Sequence, residues 1–193
     1  MFGYGAIWEW LIFFGVIYAL IYTMFVIKNE KNTFLETAVL RSFKHFDLLI
    51  PSWWTQTLDE ENAIAFERTD TRYDWKATFT WLQFTEKDLE LSLEDKFKEL
   101  IQDRKILFDL DTGAILNPSD FLTHPASQKE GISMLRIEGT ASEDEVDRVY
   151  FDAFILKDEQ AQGYLFCESR SSVLNGLVEG PYFEEVIMRV IAK

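Results

Sequence analysis

The longest apolar run in the chain, Ile7–Ile27 (IWEWLIFFGVIYALIYTMFVI), carries one charge, Glu9. As a helix it rises about 30 Å, the thickness of a hydrocarbon core, and it satisfies its own backbone hydrogen bonds there. A cleaved secretory signal wants a basic start, a shorter apolar stretch and small residues before the cut. No Lys or Arg precedes Lys28, and the run ends in the bulky Met24-Phe25-Val26-Ile27. Core helices of soluble proteins are rarely apolar on every face for this length. The pattern therefore predicts a retained transmembrane anchor over residues 1–27, in contact with the bilayer through residues 7–27.

Beyond the anchor the periodicity changes. Thr33-x-x-Glu36 has the form of a capping box, and Leu35, Val39, Phe43 and Phe46 recur at helical spacing. They predict a connecting amphipathic helix over 28–46, which the anchor enters with little break. Asp47–Ile50 is a short strand stopped by Pro51. Ala63–Thr69 and Arg72–Phe84 are strands; in the second, Tyr73, Trp75, Ala77, Phe79 and Trp81 alternate with polar residues, the period of a half-buried antiparallel sheet. Thr85-x-x-Asp88 caps a helix with Leu89, Leu93, Phe97, Leu100 and Ile101 on its core face. Lys105–Leu116 reads as a hairpin about Asp111-Thr112-Gly113, and Asn117–Gly131 as a loop. Met134–Ala141, Arg148–Lys157 and Gln162–Ser171 form a meander of three strands. Gly180-Pro181 opens a last helix with Phe183, Val186, Ile187, Val190 and Ile191 buried. The expected fold is α+β, an antiparallel sheet packed with helices over residues 47–193, preceded by one transmembrane helix.

Charge narrows the functions. Lys and Arg number 19 against 33 Asp and Glu, a net charge of −14, and only Glu9 of these falls in the anchor. Such a field repels nucleic acid, which is excluded as a partner. The basic residues Lys28, Lys31, Arg41 and Lys44 all follow the anchor, favouring the cytoplasmic face for the C-terminal domain. A lone cysteine, Cys167, rules out an internal disulfide.

No catalytic signature emerges. Lys105–Leu116, an apolar strand ending in Asp109-Leu-Asp111, resembles the first motif of haloacid-dehalogenase-type phosphatases, in which the two carboxylates serve as nucleophile and acid/base beside magnesium. Thr112-Gly113 transposes the usual Gly-Thr, and too little chain follows for the later motifs, so turn chemistry is the better reading. The acidic run Ser142–Asp147 lacks the spacing and glycine of a calcium loop and reads as a solvated strand connection. His45 and His124 lack metal-ligand spacing to any cysteine, so no metal or cofactor is expected. Trp53 and Trp54, after Pro51-Ser52, are either a docking edge or aromatic packing over the sheet. Within the anchor, Gly15, Ala19 and Thr23 recur every four residues and offer a close approach to a partner helix, with Glu9 near the helix start as a further polar contact.

Asp47-Leu-Leu-Ile-Pro-Ser-Trp-Trp54 resembles the opening of PsbP-like and DcrB-like domains. Arg136-Ile-Glu-Gly-Thr140 and Tyr182-Phe-Glu-Glu-Val-Ile187 are similar to that family's C-terminal half. The resemblance covers residues 34–192 and implies an antiparallel sheet between helices, without shared catalytic residues, in an accessory of a larger assembly on the periplasmic or lumenal side. The resulting expectation is a non-catalytic accessory or scaffold subunit of a membrane complex. The alternatives are an anchored magnesium phosphohydrolase using Asp109 and Asp111, and a module binding a lipid or small ligand in an apolar cleft.

Overall fold

The computed structural model describes residues 4–69, 74–110, 112–117, 131–143 and 147–192. The chain divides into two units, 1–38 and 39–193. The first is one continuous helix, α1 (Tyr4–Thr37), long and apolar enough to cross a membrane. Every side chain from Trp8 to Phe25 is exposed. No second helix opens at Thr33. Its hydroxyl donates to the Asn29 carbonyl at 2.9 Å inside α1, as Thr23 does to Ala19 at 2.8 Å, so each hydroxyl is satisfied within the helix.

The expected helix over 28–46 holds only to Thr37. Residues 39–50 form a hairpin, β1 (Val39–Phe43) against β2 (Phe46–Ile50), with Val39 opposite Ile50. The helical spacing of Val39, Phe43 and Phe46 is also compatible with a tight turn between strands. Lys44 makes that turn in the left-handed region, at φ 51°. Cross-strand pairing of branched and aromatic side chains outweighs the helical reading. This hairpin belongs to the compact unit 39–193.

Two sheets build the domain. The small one has the order β1-β2-β10, with β10 at Ile191–Ala192. The large one has the order β3-β4-β5-β9-β8-β7-β6 and every pairing is antiparallel. Its strands are β3 (Thr55–Glu60), β4 (Ala63–Glu67), β5 (Lys76–Gln83), β6 (Ile106–Phe108), β7 (Ile132–Glu143), β8 (Asp147–Asp158) and β9 (Gly163–Ser171). The meander β7–β8–β9 forms as the three runs and their short connections predict. The edge strand β3 breaks register between Gln56 and Leu58 and ends in Asp59 and Glu60.

Period two sends alternate residues of β8 and β9 to opposite faces. Phe151, Ile155 and Phe166 meet Phe97, Leu100 and Ile101 of α2 (Leu93–Asp103) on one face. On the other, Phe154 and Phe79 meet Phe183 of α3 (Val173–Met188), at ring separations of 5.9 and 6.0 Å. The sheet is therefore covered by α2 on one side and α3 on the other. Helix α3 starts at Val173, so Pro181 lies inside it and does not open it. Gly180 makes this tolerable, because the clash of a proline ring with the preceding Cβ disappears at glycine.

The helix expected after Thr85 is split. Glu86–Leu89 is a short 3-10 turn, and α2 restarts from its own cap, Ser92, whose hydroxyl accepts the Asp95 amide at 3.1 Å. Asp88 closes the first turn by accepting from the Thr85 amide at 2.8 Å and hydroxyl at 2.7 Å, with Lys96 at 3.0 Å. Burial opposes ionisation of Asp88, but Thr85 and Lys96 outweigh it and hold the carboxyl below its usual range. A lowered native value means that the stabilisation is complete above the unfolded-state value of about 3.9 and is lost as pH falls through the native one. Wild type should therefore exceed Asp88→Asn in melting temperature near neutrality, and the difference should close on acidification. A gap independent of pH would show that the Asp88 charge contributes nothing.

Candidate interaction surface

On α1, the helical rise sets Gly15, Ala19 and Thr23 on one face, as the spacing predicts. No atom outside the local helix backbone comes within 4 Å of a Cβ built at Gly15. Glu9 is exposed near the start of the same helix.

The two tryptophans part company. The Trp54 ring is buried, 4.3 Å from Trp75, and its indole N–H donates to Glu179 at 2.9 Å. Burial withdraws Trp54 from any exposed docking edge. Trp53 is half-buried, set edge-on to Tyr182 at 5.0 Å, with its N–H 3.4 Å from the same carboxylate oxygen. The other oxygen of Glu179 accepts from Arg68. Glu179 has no exposed surface, so an ion pair and the Trp54 indole together replace the water it loses.

The remaining candidates have structural partners. Asp109 accepts from the Thr140 hydroxyl and from Arg148, and its amide donates to the Thr140 carbonyl at 3.0 Å. Asp111 and His124 lie outside the described residues, as do positions 144–146 of the acidic run. Lys105–Leu116 does not fold back on itself as a hairpin. It runs beside β7, with Ile106 opposite Glu143 and Leu116 bridged to Arg136. His45, in the β1–β2 turn, packs edge-on to Trp81 at 5.3 Å. Cys167 is buried in β9, where burial pushes its thiol well above the ordinary value. Among the described residues no cluster of three or more His, Cys, Asp or Glu is arranged to hold a metal. A cleft of about 340 Å³ lies where Leu93 and Glu94 of α2 face Ile132–Leu135 of β7.

Two features were not apparent in the sequence. The first is the outward face of α3, where Leu174, Leu177, Val178 and Pro181 are all exposed. Val178 and Tyr182 are one turn apart on the same side, so the Trp53–Tyr182 pair continues this apolar strip. The second is a charge cluster beside it. Arg136 donates to fully buried Asp152 at 3.1 and 3.0 Å, to Glu138 at 2.7 Å and to Glu184 of α3 at 3.0 Å. The Tyr150 hydroxyl also donates to Glu138, at 2.9 Å. Burial pushes the Asp152 carboxyl up, to about 7, against the pull of Arg136 and with the help of Glu138 and Glu184. The Tyr150 ring lies under Gly176, where a Cβ would come within 2.4 Å of it. Absence of a side chain at Gly176 thus lets α3 sit close to the sheet.

The architecture has counterparts among solved structures. Cyanobacterial PsbP (CyanoP) from Synechocystis sp. PCC 6803 matches with a TM-score of 0.51 at 12% identity, over 81% of this chain and 94% of that one. The Ran-binding protein Mog1p of Saccharomyces cerevisiae matches at 0.46 and 7% identity, over 80% and 96% of the respective chains. Protein PA94 of Pseudomonas aeruginosa matches at 0.46 and 7% identity, over 81% and 97%. No protein-family model and no curated protein sequence matches the chain. The fold is PsbP-like, as the resemblance implies, and at these identities the likeness concerns the fold alone.

Proposed function

We propose that the chain is a non-catalytic accessory subunit of a membrane protein complex, tethered by α1 and presenting the 39–193 domain to its partners. The observation that carries this reading is α1 itself, whose apolar side chains from Trp8 to Phe25 stay exposed and need another environment. A domain whose sheet faces are filled by aromatic rings, and whose Asp109 is engaged by Thr140 and Arg148, fits a binding role better than phosphoryl chemistry. The basic residues after the anchor favour the cytoplasmic face for this domain. The face of Gly15, Ala19 and Thr23 is the proposed contact with a partner helix, because small residues allow helices to approach closely in lipid.

The protein should stay with membranes through alkaline extraction and should co-purify with one or more defined membrane proteins in mild detergent. Gly15→Leu combined with Ala19→Leu keeps the hydrophobicity but fills the groove, so insertion should persist while co-purification falls. Retention of the complex by this variant would reduce α1 to a simple tether. A wild-type protein isolated from its own membranes without any stoichiometric partner would overturn the accessory reading.

A further inference from the structure

The outward face of α3 departs from what a solvated helix shows. Leu174, Leu177, Val178 and Pro181 fall at i, i+3, i+4 and i+7, the spacing with which a helix presents anchors to a partner. Leu174 is 76% exposed and Leu177 63%. The opposite face of the same helix, with Phe183, Val186 and Ile187, is already used by the core. Two apolar faces on one surface helix leave the outer one unpartnered among the described residues. Pro181 adds a polar feature, since it has no N–H and leaves the Leu177 carbonyl without its helical donor.

The charges around the strip select its occupant. Helix α3 contains Glu179, Glu184 and Glu185 and no basic residue, but Glu179 is buried against Arg68 and Glu185 is held by Arg189 at 2.6 Å, so Glu184 is the acid of α3 that borders the strip. At one end of the strip, Asp74 accepts from the Ser172 amide at 3.2 Å and from Asn175, holding the start of α3. At the other, Glu184 and Glu138 share the single guanidinium of Arg136 with Asp152, three carboxylates to one cation. An anionic membrane surface would be repelled by such a border. A second copy apposed through the same face would bring Glu184 and Glu138 toward its Asp74 if the two helices run antiparallel and toward their own equivalents if they run parallel, carboxylate toward carboxylate either way. A segment with an apolar face and basic flanks complements both features.

We propose that the outer face of α3, with the Trp53–Tyr182 pair at its side, is the docking site for a basic amphipathic helix of a partner protein. The apolar side of that helix covers Leu174, Leu177, Val178 and Pro181, and a Lys or Arg on its flank reaches Glu184 and Glu138. This inference rests on the accessory reading and adds to it the surface and the chemistry of the partner.

The test is photo-crosslinking of the full chain in its own membranes. A photoreactive phenylalanine analogue replaces Leu177 in one protein and Lys98, on the exposed side of α2, in a control. Leu177 should give one discrete protein adduct and Lys98 none. The attached peptide, identified by mass spectrometry, should carry Lys or Arg within two helical turns of apolar residues. Adding Glu184→Lys should lower the adduct yield roughly tenfold, the effect of turning one cross-interface attraction into repulsion, and because Glu184 also accepts from Arg136 at 3.0 Å, Glu184→Gln, which keeps an oxygen for Arg136 and removes only the charge, should lower it in the same direction. An adduct of twice the chain mass, an adduct to lipid, a peptide without basic residues, a yield indifferent to Glu184→Lys, or no adduct would each overturn the proposal. If Leu177 gives no adduct while partners still co-purify in mild detergent, the α3 site fails and the accessory reading stands. If nothing co-purifies either, both fail.

Discussion

Phe183→Ala is expected to destabilise the domain by about 3–5 kcal/mol, the usual range for deleting a large buried ring. Phe183 is fully buried where β5, β8 and α3 converge, with its ring centroid 6.4 Å from Trp75, just before β5, 6.0 Å from Phe79 and 5.9 Å from Phe154. All three neighbours are themselves fully or almost fully buried. Surrounding rings of that size cannot collapse into the space left behind, so the cavity term adds to the lost transfer energy. Denaturant unfolding should show a lower midpoint with an unchanged slope. Leu177→Ala on the same helix is the control, since an exposed side chain should cost within about 0.5 kcal/mol. Similar losses for the two variants would mean that α3 does not pack through Phe183.

The second large effect is expected at Arg68. Arg68→Ala leaves the fully buried Glu179 carboxylate with the neutral indoles of Trp54, at 2.9 Å, and Trp53, at 3.4 Å, in place of its cation. Breaking a buried pair by removing one partner costs about 3–5 kcal/mol, because a charge stays behind without compensation. Adding Glu179→Gln removes that charge and keeps an oxygen for the Trp54 N–H, so the double variant should recover a substantial part of the loss. A double variant as unstable as Arg68→Ala would mean that Arg68 acts through packing of its stem and not through Glu179. With Glu179→Gln measured alone as well, the four proteins close a double-mutant cycle and isolate the coupling between the two residues.

What the sequence disclosed follows from where side chains face. The meander β7–β9 consists of long runs with short polar connections, so its three strands are legible. Strand β3, TQTLDE, is an edge strand with no buried side chain, so no period-two signal marks it. The N-terminal half of α3 contains Gly176 and Gly180 and precedes Pro181, a composition that reads as a turn. Tertiary packing explains its helicity: Gly176 is where α3 closes on Tyr150, and Phe183 ties the helix to the sheet. Trp53 and Trp54 could be picked out from the chain, but their acceptor could not. Glu179 is 125 residues beyond Trp54 and 111 beyond Arg68, and no local pattern connects them. The Arg136 cluster was hidden for the same reason, since it gathers residues from β7, β8 and α3.

The broken register of β3 bears on the proposed membrane tether. Proteins tethered to one membrane diffuse in two dimensions and meet neighbours far more often than free proteins at the same copy number. A straight, uncovered strand edge would then act as a template for sheet extension from one copy to the next. Here that edge is kinked between Gln56 and Leu58 and bears Asp59 and Glu60, while the opposite border, β6, is only three residues long. Among the described residues neither border of the large sheet offers a long straight run of backbone groups, so that sheet is poorly suited to extension from one copy to the next.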